Sequence, residues 1–279
     1  MKKDEIQFWK DVSYQIINEV EKTVNPLIGI KKYGKIVKMG ADGTPTKLID
    51  EIAEKKVIKI LKSINRDVTL ISEEIGELKI GKNPSEVIFV VDPLDGTVNA
   101  LKNIPAYGIS IAICYNSKNQ LNELTLNDIQ MGFVKNLANG DLYEAFKNQG
   151  AFLNKERIKT SNQDNLENSS IGTYIRGAKM DIISKLTNLV RRIRLLGSIA
   201  IELCYVAHGT YDAFLDIRGN LRIVDIAAAK LIIEESGGII TDENGSILNK
   251  KLNVIERTSI IAACNLKFHK DIIEVIGGS

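Results

Sequence analysis

The stretch "VIFVVDPLDGTVN", Val87 to Asn99, decides how the rest of the chain is read. Its five opening residues, 87–91, are all apolar and specify a strand too hydrophobic to face water on either side. The strand runs into Asp92 and Asp95, with Pro93 and Gly96 supplying ordinary turn chemistry. A turn explains the residue types but not a pair of carboxylates closing a buried strand. Like charges there repel unless a cation or buried donors compensate.

Acids recur in comparable places. "VTLI" at 68–71 leads into Ser72-Glu73-Glu74, and in "LRIVDIAAAK" Asp225 follows an apolar strand and opens a helix as its N-cap. Asp50 falls inside "TPTKLIDEIAE", a helix with Thr44 as N-cap and Pro45 at its first position. Taken singly, these are a solvated loop, a cap and a helix surface. Taken jointly, three strands ending in carboxylates can share one sheet edge. Glu73, Asp92, Asp95 and Asp225 then bring four negative charges, enough to neutralise two divalent cations. All are hard oxygen donors, and no histidine or cysteine is near them in sequence, which selects Mg2+ or Mn2+ over zinc or copper. His208 and His269 sit in helical contexts and read as structural.

The remainder is ordinary for a globular chain of 279 residues, with 44% hydrophobic and 26% charged residues. A net charge of +2 shows no bias towards nucleic acid or a membrane surface. Cys114, Cys204 and Cys264 lie in apolar runs and read as buried free thiols of a reducing compartment. No segment has the apolar length of a membrane span or the core of a signal peptide, so the cytoplasm is expected. Helical spacing covers 5–24, and the Gly- and Lys-rich stretch 29–43 reads as a mobile loop or hairpin. Short β-rich runs at 68–71, 87–91, 107–115, 131–134 and 142–146 suggest a meandering, largely antiparallel sheet. The polar stretch 159–170 marks a subdomain junction, beyond which strands alternate with helices as in an α/β unit.

The set "SEE" at 72–74, "DPLDGT" at 92–97 and "DIAAA" at 225–229 resembles the inositol monophosphatase family. So do "TPTKLIDEIAE" and "GSIAIELCYVAHGTYDAFLD", and the likeness is strongest to archaeal members, over nearly the whole chain. It implies a layered αβαβα sandwich of the inositol monophosphatase/fructose-1,6-bisphosphatase type. An N-terminal α+β subdomain, 1–167, would carry most metal ligands, and a C-terminal α/β subdomain, 168–279, would carry Asp225 and the substrate contacts.

The implied activity is Mg2+-dependent hydrolysis of inositol 1-phosphate, fructose 1,6-bisphosphate or both by in-line attack of a metal-activated water, with no phosphoenzyme. About two or three Mg2+ ions per subunit are implied, with Mn2+ as a substitute. By the same resemblance Glu73, Asp92, the Leu94 carbonyl and an Asp95 oxygen hold one metal, and Asp92, Asp95 and Asp225 hold a second. Gly96 and Thr97 present backbone N–H groups to the phosphate, the Thr97 hydroxyl and Asp50 relay a proton, and Glu74 supports the ligands from behind. Gly197, Ser198 and Asp216 meet the substrate; Asp216 stands where eukaryotic members have Glu, which argues against strict inositol specificity. Arg194 and Arg218, with Arg176 and Arg222 behind them, are candidates for a second phosphate, and Lys35 or Lys38 for approach from the mobile loop. A homodimer is implied. The rival within the superfamily is a 3′-phosphoadenosine nucleotide or NADP(H) phosphatase. From another class comes a nucleic-acid or transcription-complex partner, against which near-neutral charge and a complete acid set argue.

Overall fold

A computed structural model of the chain describes residues 3–83, 85–115 and 123–277. Two amphipathic helices, α1 (Lys3–Val24) and α2 (Leu48–Ser63), pack together and bury Trp9, Ile16, Val57 and Leu61 against one face of an eight-stranded sheet. Its strands are β3 (Val68–Ser72), β4 (Gly76–Ile80), β5 (Val87–Asp95), β6 (Gly108–Tyr115), β7 (Ile129–Asn136), β8 (Leu142–Phe146), β9 (Gly150–Leu153) and β10 (Glu156–Arg157). Their spatial order is β10-β9-β8-β7-β6-β5-β3-β4, antiparallel throughout except for the parallel pair β3 and β5.

The opposite face of this sheet is covered by α5 (Ile199–Ala207) and α6 (Ile223–Glu235). Every residue of α6 from Ile223 to Ile233 is buried, as a helix apolar on all sides must be when it lies between two sheets. The second sheet comprises β11 (Ser170–Thr173), β12 (Arg192–Arg194), β13 (Ala213–Arg222), β14 (Ile239–Thr241) and β15 (Arg257–Ala263), in the order β12-β11-β13-β15-β14. Helices α4 (Met180–Leu189) and α7 (Leu266–Ile276) close its far side through Ile182, Leu186, Phe268 and Ile272. The result is the five-layer αβαβα sandwich expected. All three cysteines are buried and free. Among the described residues no helix is long and apolar enough to cross a membrane.

Three local expectations change. The 29–43 stretch leads into a hairpin in which β1 (Ile36–Met39) pairs with β2 (Pro45–Lys47). Pro45 is therefore in a strand and not at a helix start; α2 begins at Leu48, and Thr44 donates its hydroxyl to Asp42. A two-stranded hairpin has only edges, where a residue lacking an N–H does no harm. Likewise α6 starts at Ile223, so Asp225 is its third residue and not its N-cap. Finally, "DPLD" is not a turn after the strand but the strand's own end. Asp92 pairs with Ser110 and Asp95 with Gly108, which leaves one extra residue on β5, a bulge at Pro93-Leu94.

Candidate active site

Register brings the acids together. In the parallel pair Ser72 lies opposite Val91, so the chain enters Glu73 at the level where β5 reaches Asp92. The bulge then turns Asp95 to the same end of the sheet. Gly96 follows with φ +79°, and a Cβ there would come within 2.7 Å of the Ala106 carbonyl, so only glycine lets β5 pass into the short helix α3 (Thr97–Lys102).

Three helix N-termini face this edge, and their positive ends favour carboxylates. Asp50, third in α2, accepts the Lys47 N–H at 3.1 Å. Asp95 accepts the Ser198 hydroxyl at 2.7 Å and the Ala200 N–H of α5 at 2.8 Å. Asp225 accepts the Arg222 N–H at 3.3 Å. Ser198 thus stands at the N-cap position of α5, but its hydroxyl donates to Asp95 instead of capping the helix.

Asp92 is 2% exposed. Its Oδ1 accepts the Leu94 N–H at 3.1 Å, while its buried Oδ2 has no hydrogen-bond partner among the described residues. Burial, then Glu73, Asp95 and Asp225, push its pKa well above the carboxylate range. Burial raises Glu73 to about 8 against the pull of Arg222, with Asp225, Glu74 and Asp42 adding to the rise. Asp95 rises to about 6 through burial and the Asp225 charge, opposed by its bonds to Ser198 and Ala200. These groups share one field that disfavours negative charge, and a multivalent cation would reverse it. The donor set fits Mg2+: hard oxygens, surplus charge, and one buried carboxylate oxygen lacking a donor. As the side chains stand, Glu73 and Asp225 both turn towards the Arg222 guanidinium, and no three acids, histidines or cysteines among the described residues are gathered to hold an ion.

Beside this cluster the Thr97 hydroxyl lies 2.8 Å from Asp50 Oδ1 and 3.2 Å from the Leu94 carbonyl. Its single hydrogen serves one acceptor at a time. Burial raises Asp50 to about 6, although the Thr97 hydrogen bond lowers it. Glu74 is buried behind Glu73 and accepts the Thr46 hydroxyl. Lys38 donates to the Glu74 carbonyl at 3.2 Å and lies 3.9 Å from Glu54, so it ties the hairpin down; Lys35 is exposed.

On the neighbouring face Asp216 is completely buried and gripped by the Arg218 fork, Nε to Oδ1 at 2.8 Å and Nη2 to Oδ2 at 2.5 Å. The Arg218 guanidinium also lies over the Tyr174 ring, 4.2 Å from its centroid, and 3.4 Å from the Arg176 carbonyl. Arg194 is exposed on the edge strand β12, and Arg176 is exposed too. Gly197 adopts φ +89° in the turn before α5. His269 is paired with the Thr241 hydroxyl at 2.7 Å and His208 with that of Thr210 at 3.2 Å.

Two acids at the site escaped the sequence reading. Asp42, at the tip of the hairpin, has a fully buried carboxylate 3.3 Å from Arg222 and 3.7 Å from Arg257. Glu202, buried in α5, accepts the Leu196 and Gly197 N–H groups, each at 3.0 Å, and Asn99 grips the Leu196 carbonyl from the other side at 2.7 Å. A lone acid inside an apolar run was the signal for Glu202, and Asp42 had none beyond its Gly-rich loop.

Buried carboxylates at the end of a parallel strand pair, one oxygen short of a donor, are the setting in which a hard cation is held. A sequence profile of the inositol monophosphatase family matches residues 7–277. The chain belongs to that family, whose members are generally Mg2+-dependent. A fructose-1,6-bisphosphatase/inositol-1-monophosphatase of Methanothermobacter thermautotrophicus is 51% identical over 278 residues, 99% of each chain. A bifunctional NADP phosphatase/NAD kinase of Methanocaldococcus jannaschii is 43% identical across 95% of this chain, which spans 50% of that longer protein. A crystal structure of an inositol monophosphatase–fructose 1,6-bisphosphatase superposes with a TM-score of 0.83 at 36% identity, covering 99% of this chain and 98% of the other.

Proposed function

We propose that this protein hydrolyses inositol 1-phosphate and fructose 1,6-bisphosphate with two or three Mg2+ ions, replaceable by Mn2+. The observation that carries the reading is Asp92, a buried carboxylate with a donorless oxygen amid Glu73, Asp95 and Asp225. Glu73, Asp92, the Leu94 carbonyl and Asp95 are taken as one ligand set, and Asp92, Asp95 and Asp225 as the second. Bound Mg2+ would supply Lewis acidity for activating water and for stabilising the leaving oxygen.

The chain's own residues orient and move protons. Asp50, raised to about 6, accepts the Thr97 hydroxyl proton, and Thr97 passes on the proton of the attacking water. The Gly96 and Thr97 N–H groups hold the phosphate, and Glu74 steadies Glu73 from behind. Ser198 fixes Asp95, and the turn at Gly197 faces the substrate hydroxyls. Asp216 and Arg218 form a rigid wall at which the substrate's far end is read, with Arg194 reaching in from the edge.

Hydrolysis of NADP(H) is the second reading, favoured by the 43% identity to a bifunctional NADP phosphatase/NAD kinase. Phosphate release from inositol 1-phosphate, fructose 1,6-bisphosphate, NADP and 3′-phosphoadenosine 5′-phosphate, with Mg2+ or EDTA, tests both. Turnover of the first two, abolished by EDTA, is expected; hydrolysis of NADP alone would replace the first reading by the second. We further take 1–167 and 168–279 as subdomains, the cytoplasm as location and a homodimer as the assembly. Light scattering that gives one chain per particle would remove the dimer.

A further inference from the structure

Arg222 stands immediately before α6, and its guanidinium meets acids from three elements. Nη1 contacts Glu73 Oε1 and lies 3.3 Å from Asp42 Oδ2. Nε is 3.0 Å from both Asp225 oxygens, and Nη2 is 2.8 Å from Asp225 Oδ1. Its side chain is 20% exposed, so water screens little of this charge. A guanidinium does not lose its proton in a protein, so Arg222 is a permanent cation among these acids.

We propose that Arg222 is a built-in counter-cation that competes with Mg2+ for Glu73 and Asp225 and so sets the metal affinity of the site. The inference rests on reading those carboxylates as metal ligands. An oxygen whose lone pairs face a guanidinium must turn away from it to ligate a metal, and a dication brought beside a fixed guanidinium is repelled. Metal binding therefore includes the cost of moving Arg222. Asp42 offers it a resting place, already within 3.3 Å, and Arg257 holds the Asp42 carbonyl at 3.1 Å so that the hairpin tip stays in reach. In this account Arg222 lowers the repulsion among the acids before the metal arrives and keeps metal binding from becoming tight.

The test is calorimetric titration of Mn2+ into full-length protein stripped with EDTA and dialysed, comparing wild type, Arg222→Met and Arg222→Lys. Arg222→Met is expected to bind Mn2+ about tenfold more tightly or better, with Arg222→Lys close to wild type. Unchanged or weaker binding by a folded Arg222→Met protein overturns the proposal. Wild type that binds no Mn2+ removes the ligand assignment itself and the proposal with it. If circular dichroism shows that Arg222→Met does not fold, the 15N signal of the wild-type Arg222 Nε–H decides, assigned by its loss in Arg222→Lys. Slow solvent exchange without metal and fast exchange with Mg2+ is expected; exchange that Mg2+ does not alter contradicts the proposal.

Discussion

Asp92 and Asp216 are both buried aspartates on apolar strands, and each immediately precedes a break in strand register. Two residues beyond Asp216 stands Arg218, whose fork closes on both carboxylate oxygens and whose face rests on Tyr174. Two residues beyond Asp92 stands Leu94, which offers one N–H. Around Asp92 the acids Glu73, Asp95 and Asp225 outweigh Arg222, a cation whose fork is engaged with Glu73 and Asp225 and not with Asp92. Both strands lose register just after the aspartate, by one extra residue on β5 and three on β13, but Asp216 has an arginine of its own on both oxygens and Asp92 has none. A buried acid with its own arginine is a structural lock; one ringed by other acids is a place for a cation.

The comparison breaks most visibly at Asp92. Asp92→Asn is expected to lower kcat by about a thousandfold or more at saturating Mg2+, with an unchanged circular dichroism spectrum. Wild-type activity in that variant would undo the assignment. Thr97→Val keeps the shape beside Asp50 but removes the hydroxyl, and should cost about a hundredfold in kcat with little change in KM. A rise in KM alone would make Thr97 a binding group instead.

Arg218→Ala probes the other side. It strands Asp216 without a cation and should cost about 3 kcal/mol in urea unfolding, where a neutral result would deny the lock. In the same variant, fructose 1,6-bisphosphate should lose more kcat/KM than inositol 1-phosphate. An equal loss for both would end the second-phosphate role of Arg218.

The smallest effect concerns Glu202, whose pKa burial raises to about 7 while the N–H groups of Leu196 and Gly197 lower it. Unfolded, it titrates near about 4.3, so between these values the folded state binds more protons than the unfolded one. Its contribution to stability is therefore full below about pH 4 and is lost as pH rises to about 7, on the order of 3 kcal/mol. Glu202→Gln should flatten that part of the stability–pH curve of EDTA-treated protein; an unchanged slope would place the titration elsewhere.

What the sequence makes legible follows from the same contrast. Glu73, Asp92, Asp95 and Asp225 each adjoin an apolar run, so their misplacement in a buried setting can be read without coordinates. Periodicity makes layered helices and sheets legible, the αβαβα order itself comes only with the family resemblance, and α6 is marked by a run that is apolar but for Asp225 and Lys230 up to Ile233. Pro45 misleads because a proline suits an edge strand as well as a helix start. Asp42 is hidden because its burial depends on Arg222 and Arg257, 180 and 215 residues away. Arg222 itself reads in sequence as a candidate for a second phosphate, until the end of β13 brings it against Glu73. Long-range charge pairing leaves no local pattern.

Crystals grown with Mn2+ in place of Mg2+ test the central claim most directly, through anomalous scattering. The account predicts peaks bonded to Asp92 Oδ2 and shared among Glu73, Asp95 and Asp225. Strong Mn2+ peaks elsewhere on the protein, with none at Asp92, would contradict it.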